Sequence, residues 1–184
     1  MKLWLLRHAR VQLPDGLCYG GSDVPADPDL TLDAARHWTA RLPVGAIWRV
    51  SALGRAQQLA DALRALREDI PQATVDERLN EMHFGRWELQ PWDSIPRPAF
   101  DEWMADFAHH RFGGVESTQM LLDRVAVALQ ELKAAEPAHA VWVTHAGVIR
   151  AVSYLVHGGP IPIPDVGHWP REAPVPGGGV CLDI

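Results

Sequence analysis

The sequence predicts an α/β domain built on a largely parallel sheet. Short apolar runs of strand character alternate with longer segments whose apolar residues recur at helical spacing. The first run, Lys2–Leu6, has no polar break after Lys2, as expected of a strand covered on both faces. Charged or titratable residues also stand directly after three of the strand-like runs, where open parallel sheets bind ligands.

Each element has its own reason. Lys2–Leu6 is the first strand, and the Gly-, Pro- and Asp-rich stretch Pro14–Asp29 is a long loop. Thr31 is expected to cap a helix whose apolar face carries Leu32, Ala35, Trp38 and Leu42. Ala46–Ser51 is the second strand, followed by a helix with Ala56, Leu59, Ala60, Leu63 and Leu66 on one face. Thr74–Asp76 is a short strand. From Leu79 to Gly114 the chain is irregular, broken by Pro91, Pro96 and Pro98, with a short helix expected at Phe100–Phe107. Ser117 caps a longer helix carrying Leu121, Val125, Leu129 and Leu132. Ala140–Thr144 is a further strand and Val148–Val156 a buried helix. A second Pro/Gly loop, Gly158–Gly179, leads to Val180–Ile184, which closes the sheet.

A chain of 184 residues, 47% hydrophobic and 22% charged, is expected to form one soluble domain spanning 1–184. The net charge of -6, with no Lys/Arg cluster, argues against a nucleic-acid partner. The apolar run at the N-terminus is too short for a signal-peptide core or a membrane span. Cys18 and Cys181 form no C-x-x-C pair and read as free thiols of a reducing compartment. The expectation is a cytoplasmic protein with no membrane partner; a homodimer stays open.

The residues after the strands suit phosphoryl transfer, which needs positioning and charge stabilisation above all. Arg7 and Arg55 can each present a bidentate fork to phosphoryl oxygens. The helix that starts after His145 offers backbone N–H groups, beginning at Ala146, to an anion. A neutral His8 imidazole can attack phosphorus, and neighbouring arginines disfavour its protonation. Glu81 can give the leaving oxygen its proton.

These residues lie in segments that resemble the histidine phosphatase (phosphoglycerate mutase-like) superfamily. Leu6-Arg7-His8-Ala9 is similar to its R-H-G signature, Ser51–Gln58 to its S-x-L-x-R-A-x-x-T segment, and Thr144–Arg150 to its S-H-G-G-V-I-R segment. The resemblance implies a three-layer sandwich, with helices flanking a mainly parallel sheet. It implies His8 as nucleophile, Glu81 as proton donor, and Arg7, Arg55 and His145 as the phosphate pocket. No metal and no cofactor are expected, only a small phosphorylated substrate. Cys18–Val24 and Leu79–Glu88 further resemble α-ribazole phosphatases, which remove the 5′-phosphate of α-ribazole or its cobalamin form. That implies a place in cobalamin biosynthesis.

Some positions depart from the pattern. Ala9 and Arg10 stand where the family carries glycine and glutamate, and Ala146 replaces a glycine. Ala9 fits if its φ is negative. The loop after the nucleophile lacks the usual asparagine, so Ser22 or Gln12 is the expected substitute. Arg10 and Trp87 join Ser22 as residues of the substrate pocket, with Trp87 as a platform for a flat base. His37, His83, His109, His110, His139, His157 and His168 carry no readable role. Two other readings stand beside the phosphatase: a phosphoglycerate mutase, and a silent phosphate- or nucleotide-binding protein.

Overall fold

The computed structural model describes every residue from Met1 to Ile184. Five strands form one sheet: β1 (Lys2–Arg7), β2 (Ile47–Val50), β3 (Thr74–Val75), β4 (His139–Thr144) and β5 (Gly179–Asp183). Their order is β3-β2-β4-β1-β5, all parallel except the antiparallel edge strand β5. The helices are α1 (Pro28–Thr39), α2 (Gly54–Leu66), α3 (Arg97–Ala105), α4 (Thr118–Ala134) and α5 (Ala146–Val156).

The expected α/β sandwich is thus present, and the two cores show why. Leu3 and Leu5 of β1 pack with Leu121, Val125 and Leu129 of α4 and Val148 and Val152 of α5 on one face. Leu6 joins Val141 and Val143 of β4 under Ala35 and Trp38 of α1 and Leu59 and Leu63 of α2 on the other. β4 is buried on both faces, so it reads Ala-Val-Trp-Val before its one buried polar residue, Thr144, whose hydroxyl donates to Leu79 O at 2.7 Å. Trp142 is fully buried and Trp38 and Trp48 nearly so.

Two expectations need correction. The cap of α1 is Asp27, not Thr31: an Asp27 Oδ1 accepts from the Asp29 and Leu30 N–H groups, and Pro28 takes the first helical position. Thr31 lies one turn inside. The short middle helix is Arg97–Ala105 rather than Phe100–Phe107, because Pro98 sits in its first turn, where a missing N–H costs nothing. Ser117 does cap α4, accepting from the Met120 N–H at 3.3 Å. No helix is long and apolar enough to cross a membrane. Both cysteines are free, and burial pushes the Cys18 thiol up to about 12.

Candidate active site

The strand order makes the site. β2, β4 and β1 are consecutive and parallel, so the residues that follow them adjoin. The ladder continues one step past the strands: the Ser51 N–H bonds Val143 O at 3.0 Å, and the His8 N–H bonds Thr144 O at 3.2 Å. His8, Ser51 and His145 are thereby fixed side by side, and the two imidazole rings stand 5.0 Å apart.

His8 is 2% exposed, and its Nδ1 lies 2.6 Å from Ala9 O. A carbonyl only accepts, so Nδ1 carries the proton and Nε2 keeps a free lone pair. Burial first, then the charge of Arg55, pushes the His8 pKa down to about 3. The ring is therefore neutral near pH 7. Ala9 has no positive φ and is buried, so losing the glycine costs the turn nothing.

Arg55 is wholly buried and pairs with no carboxylate. Its Nη1 donates to Ser22 O at 2.7 Å and its Nη2 to Gly20 O at 2.6 Å, while its Nε has no partner. Arg7 donates to Pro174 O at 2.8 Å and likewise keeps a bare, buried Nε. Neither arginine is in ion-pair contact with a carboxylate, although the Glu81 charge acts on both from farther away, so both keep N–H groups for a bound anion.

His145 is oriented by a relay that the sequence did not disclose. Asn80 Oδ1 accepts from both the Ala52 N–H and Ser51 Oγ, each at 2.8 Å. Ser51 Oγ has then spent its only proton, so it accepts from His145 Nε2 at 2.8 Å. His145 Nδ1 is buried and unpartnered. Burial, then Arg55 and His8, hold the His145 pKa well below the usual histidine range. The Ala146 N–H, at the first helical position of α5, has no intrahelical acceptor.

Glu81 reaches the same place from the irregular segment. Its Oε2 accepts from the Gly147 N–H at 3.0 Å and its Oε1 from the Met82 N–H at 3.0 Å. A Cβ on Gly147 would meet Glu81 Oε1, so a side chain here would push the carboxylate out of this position. Glu88, inside the Leu79–Glu88 segment, is a second residue whose role was hidden. Its carboxylate accepts from the Gly20, Gly21, Ser22 and Phe84 N–H groups and from Ser22 Oγ, at 2.7 to 3.1 Å. Burial raises its pKa, but these donors outweigh burial and hold the carboxyl below its ordinary value. Glu88 fixes the loop whose carbonyls hold Arg55.

The structure brings Arg7, His8, Arg55, Glu81, His145 and Ala146 together, but not all of the expected pocket. Arg10 is spent on an exposed ion pair with Asp15. The Ser22 hydroxyl is spent on Glu88; its contribution is the carbonyl that accepts from Arg55. Gln12 forms no side-chain hydrogen bond. Trp87 packs against Phe112, with Arg86 over its ring at 4.7 Å, and does not line the cavity beside Glu81. The tryptophans lining that cavity are Trp103 and Trp169.

This geometry agrees with an independent comparison of sequence. Residues 3–170 match the histidine phosphatase superfamily (branch 1). The chain belongs to that superfamily. Similar solved structures include a mycobacterial glucosyl-3-phosphoglycerate phosphatase complexed with VO3, at 26% identity and TM-score 0.82, covering 99% of this chain and 92% of that one. A mycobacterial hydrolase matches at 25% identity and TM-score 0.80, covering 98% and 80%. A phosphoglycerate mutase from Thermus thermophilus matches at 28% identity and TM-score 0.73, covering 100% and 93%. No curated protein matches significantly.

Proposed function

We propose that this protein is a metal-independent phosphomonoesterase working through a phosphohistidine at His8. The observation that carries the reading is the free Nε2 lone pair of a neutral, buried His8 beside two arginines that no carboxylate pairs with directly. In the first step Nε2 bonds to phosphorus and the ester P–O bond breaks. The Glu81 carboxyl gives its proton to the leaving oxygen. In the second step the Glu81 carboxylate takes a proton from water, whose oxygen bonds to phosphorus as the P–N bond breaks. Inorganic phosphate leaves and His8 is restored. Arg7, Arg55, the Ala146 N–H and His145, protonated once the phosphate charge offsets the arginines, hold the phosphoryl oxygens, whose charge builds in the transition state.

For the substrate, the reading is α-ribazole 5′-phosphate or the cobalamin 5′-phosphate. The resemblance of Cys18–Val24 and Leu79–Glu88 to α-ribazole phosphatases supports it, as does the aromatic lining of the cavity beside Glu81. The Thermus thermophilus mutase among the similar structures favours a second reading, in which phosphohistidine passes its phosphoryl group to a glycerate hydroxyl instead of water.

Rapid quenching with 32P-labelled ester should trap an acid-labile, alkali-stable phosphoprotein that His8→Ala abolishes. Label that persists in His8→Ala removes the assignment. The fate of the label separates the two readings: inorganic phosphate marks the phosphatase, and phosphoglycerate isomers mark the mutase.

A further inference from the structure

Glu81, Met82 and His83 lie in no helix or strand and form no backbone–backbone hydrogen bond. Backbone polar groups away from water need partners, so side chains must supply them here. Two residues at the start of α4 do so. Arg124 Nη1 donates to Arg78 O at 2.7 Å, and its Nη2 donates to Glu81 O at 3.3 Å. Glu116 Oε2 accepts from the His83 N–H at 2.9 Å. The two residues also bind each other, Nε to Oε1 at 2.7 Å and Nη2 to Oε2 at 3.2 Å. A bidentate ion pair thus grips the backbone on both sides of the Glu81 side chain.

The pair is not built to take a substrate anion. Each of the three Arg124 nitrogens already donates within the protein, and its charge is matched by Glu116. Arg7 and Arg55, by contrast, keep a bare Nε. The two side chains of the pair are only 20% and 11% exposed, so water does little to loosen it. What the pair touches is the main chain that carries Glu81. A general acid must stay within hydrogen-bond reach of the atom it protonates, and a misplacement of about 1 Å can cost about 10²-fold. Asn80, in the same segment, is anchored separately. Its side chain is held by the Ala52 N–H and Ser51 Oγ, and its N–H donates to Glu77 O at 3.0 Å. Loosening the pair should therefore spare the relay to His145.

We infer that Arg124 and Glu116 are positioning residues for Glu81: from α4 they fix its backbone, and so set where its carboxylate stands. Neither residue touches the substrate. The kinetic consequence rests on the reading of Glu81 as proton donor; the placement of its carboxylate does not.

Arg124→Gln removes the grip and tests this. It should lower kcat for n-propyl phosphate at least about tenfold, with KM within about twofold, and kcat for p-nitrophenyl phosphate less than about threefold. In a Glu81→Gln background the same substitution should cost less than about twofold on n-propyl phosphate, because the group it positions is already gone. Arg124→Lys keeps a cation beside Glu116 but offers one nitrogen in place of three. It should act in the same direction, and it carries the test if Arg124→Gln does not fold. Amide exchange reads the carboxylate without turnover. The Gly147 N–H donates to Glu81 Oε2, whereas the Ile149 N–H in the same helix donates to His145 O. Loss of the grip should speed exchange at Gly147 at least about tenfold and leave Ile149 within about twofold. Unchanged exchange at Gly147 overturns the inference. Where Glu81→Gln spares p-nitrophenyl phosphate, equal losses from Arg124→Gln on the two esters overturn it too, as does a full loss that survives in the Glu81→Gln background. Faster exchange at Gly147, with Glu81→Gln costing both esters equally, upholds the positioning pair and removes the proton-donor reading instead.

Discussion

The two ends of the site are built in opposite ways. The end proposed to hold the phosphoryl group is made of residues at or within five positions of the ends of adjacent parallel strands, and its two arginines are buried, held by carbonyls and in ion-pair contact with no carboxylate. The end proposed to hold the leaving group is the cavity beside Glu81, lined by aromatic side chains from the segment around Phe84, from α3 and the residues after it and from the loop after α5, together with residues of α4 and α5. The phosphoryl end is therefore expected to act on every ester alike, and the other end to discriminate between esters.

The largest expected effect tests the first half of that contrast. Arg55→Ala removes a buried cation from the phosphate and should lower kcat/KM by about 10²-fold or more. The loss should be the same for naphthyl, propyl and p-nitrophenyl esters. A loss that varied strongly with the leaving group would erase the division.

Glu81 lies on the boundary, so its effect should depend on the leaving group. Glu81→Gln should lower kcat by roughly 10²-fold or more for alkyl phosphates and by much less for p-nitrophenyl phosphate, whose anion departs without a proton. Gly147→Ala should act in the same direction, because the added Cβ displaces the Glu81 carboxylate. Equal losses on both kinds of ester would show that neither position governs proton donation.

The smallest effect sharpens the contrast through stability. An unfolded histidine takes its proton near pH 6.5, whereas His8 in the fold resists until about 3. Between those values the unfolded state binds more protons, so stability falls as pH drops through that window. The lowered His145 pKa acts in the same sense. The surrounding charges are those of Arg7 and Arg55. Urea titrations from pH 7 to 4 should give a shallower fall for His8→Gln than for the unmodified protein. Carboxylates such as Glu88 also lose stability on acidification, but equally in both proteins. Parallel curves would mean that His8 is not the buried neutral base described here.

The same contrast explains what is legible in the sequence. His8, Arg55 and His145 each sit within five residues of a strand whose apolar run is unmistakable, so strand order alone converges them. Ser51 is visible as part of its motif, but its service to His145 is not, because Asn80 arrives from 29 residues away. The sequence misplaces Trp87 for a related reason. In a segment of isolated turns, no periodicity tells which tryptophan faces inward, and tertiary packing on Phe112 decides it. The cap at Asp27 escapes the sequence reading because the apolar stripe, not the Asp-Pro pair, sets the expected start of α1.

The Glu88 carboxylate has a consequence for how the site opens. It clasps residues 66 to 68 positions earlier in the chain, and without that clasp the carbonyls of Gly20 and Ser22 have no fixed place from which to hold Arg55. The cradle and the irregular segment therefore hold or open as one unit, while the central strands are paired independently of that clasp. Amide exchange at Gly20, Gly21 and Ser22 should then share one opening event with Phe84, far from them in sequence. A local opening of that clasp would thus abolish phosphate binding while leaving the sheet intact.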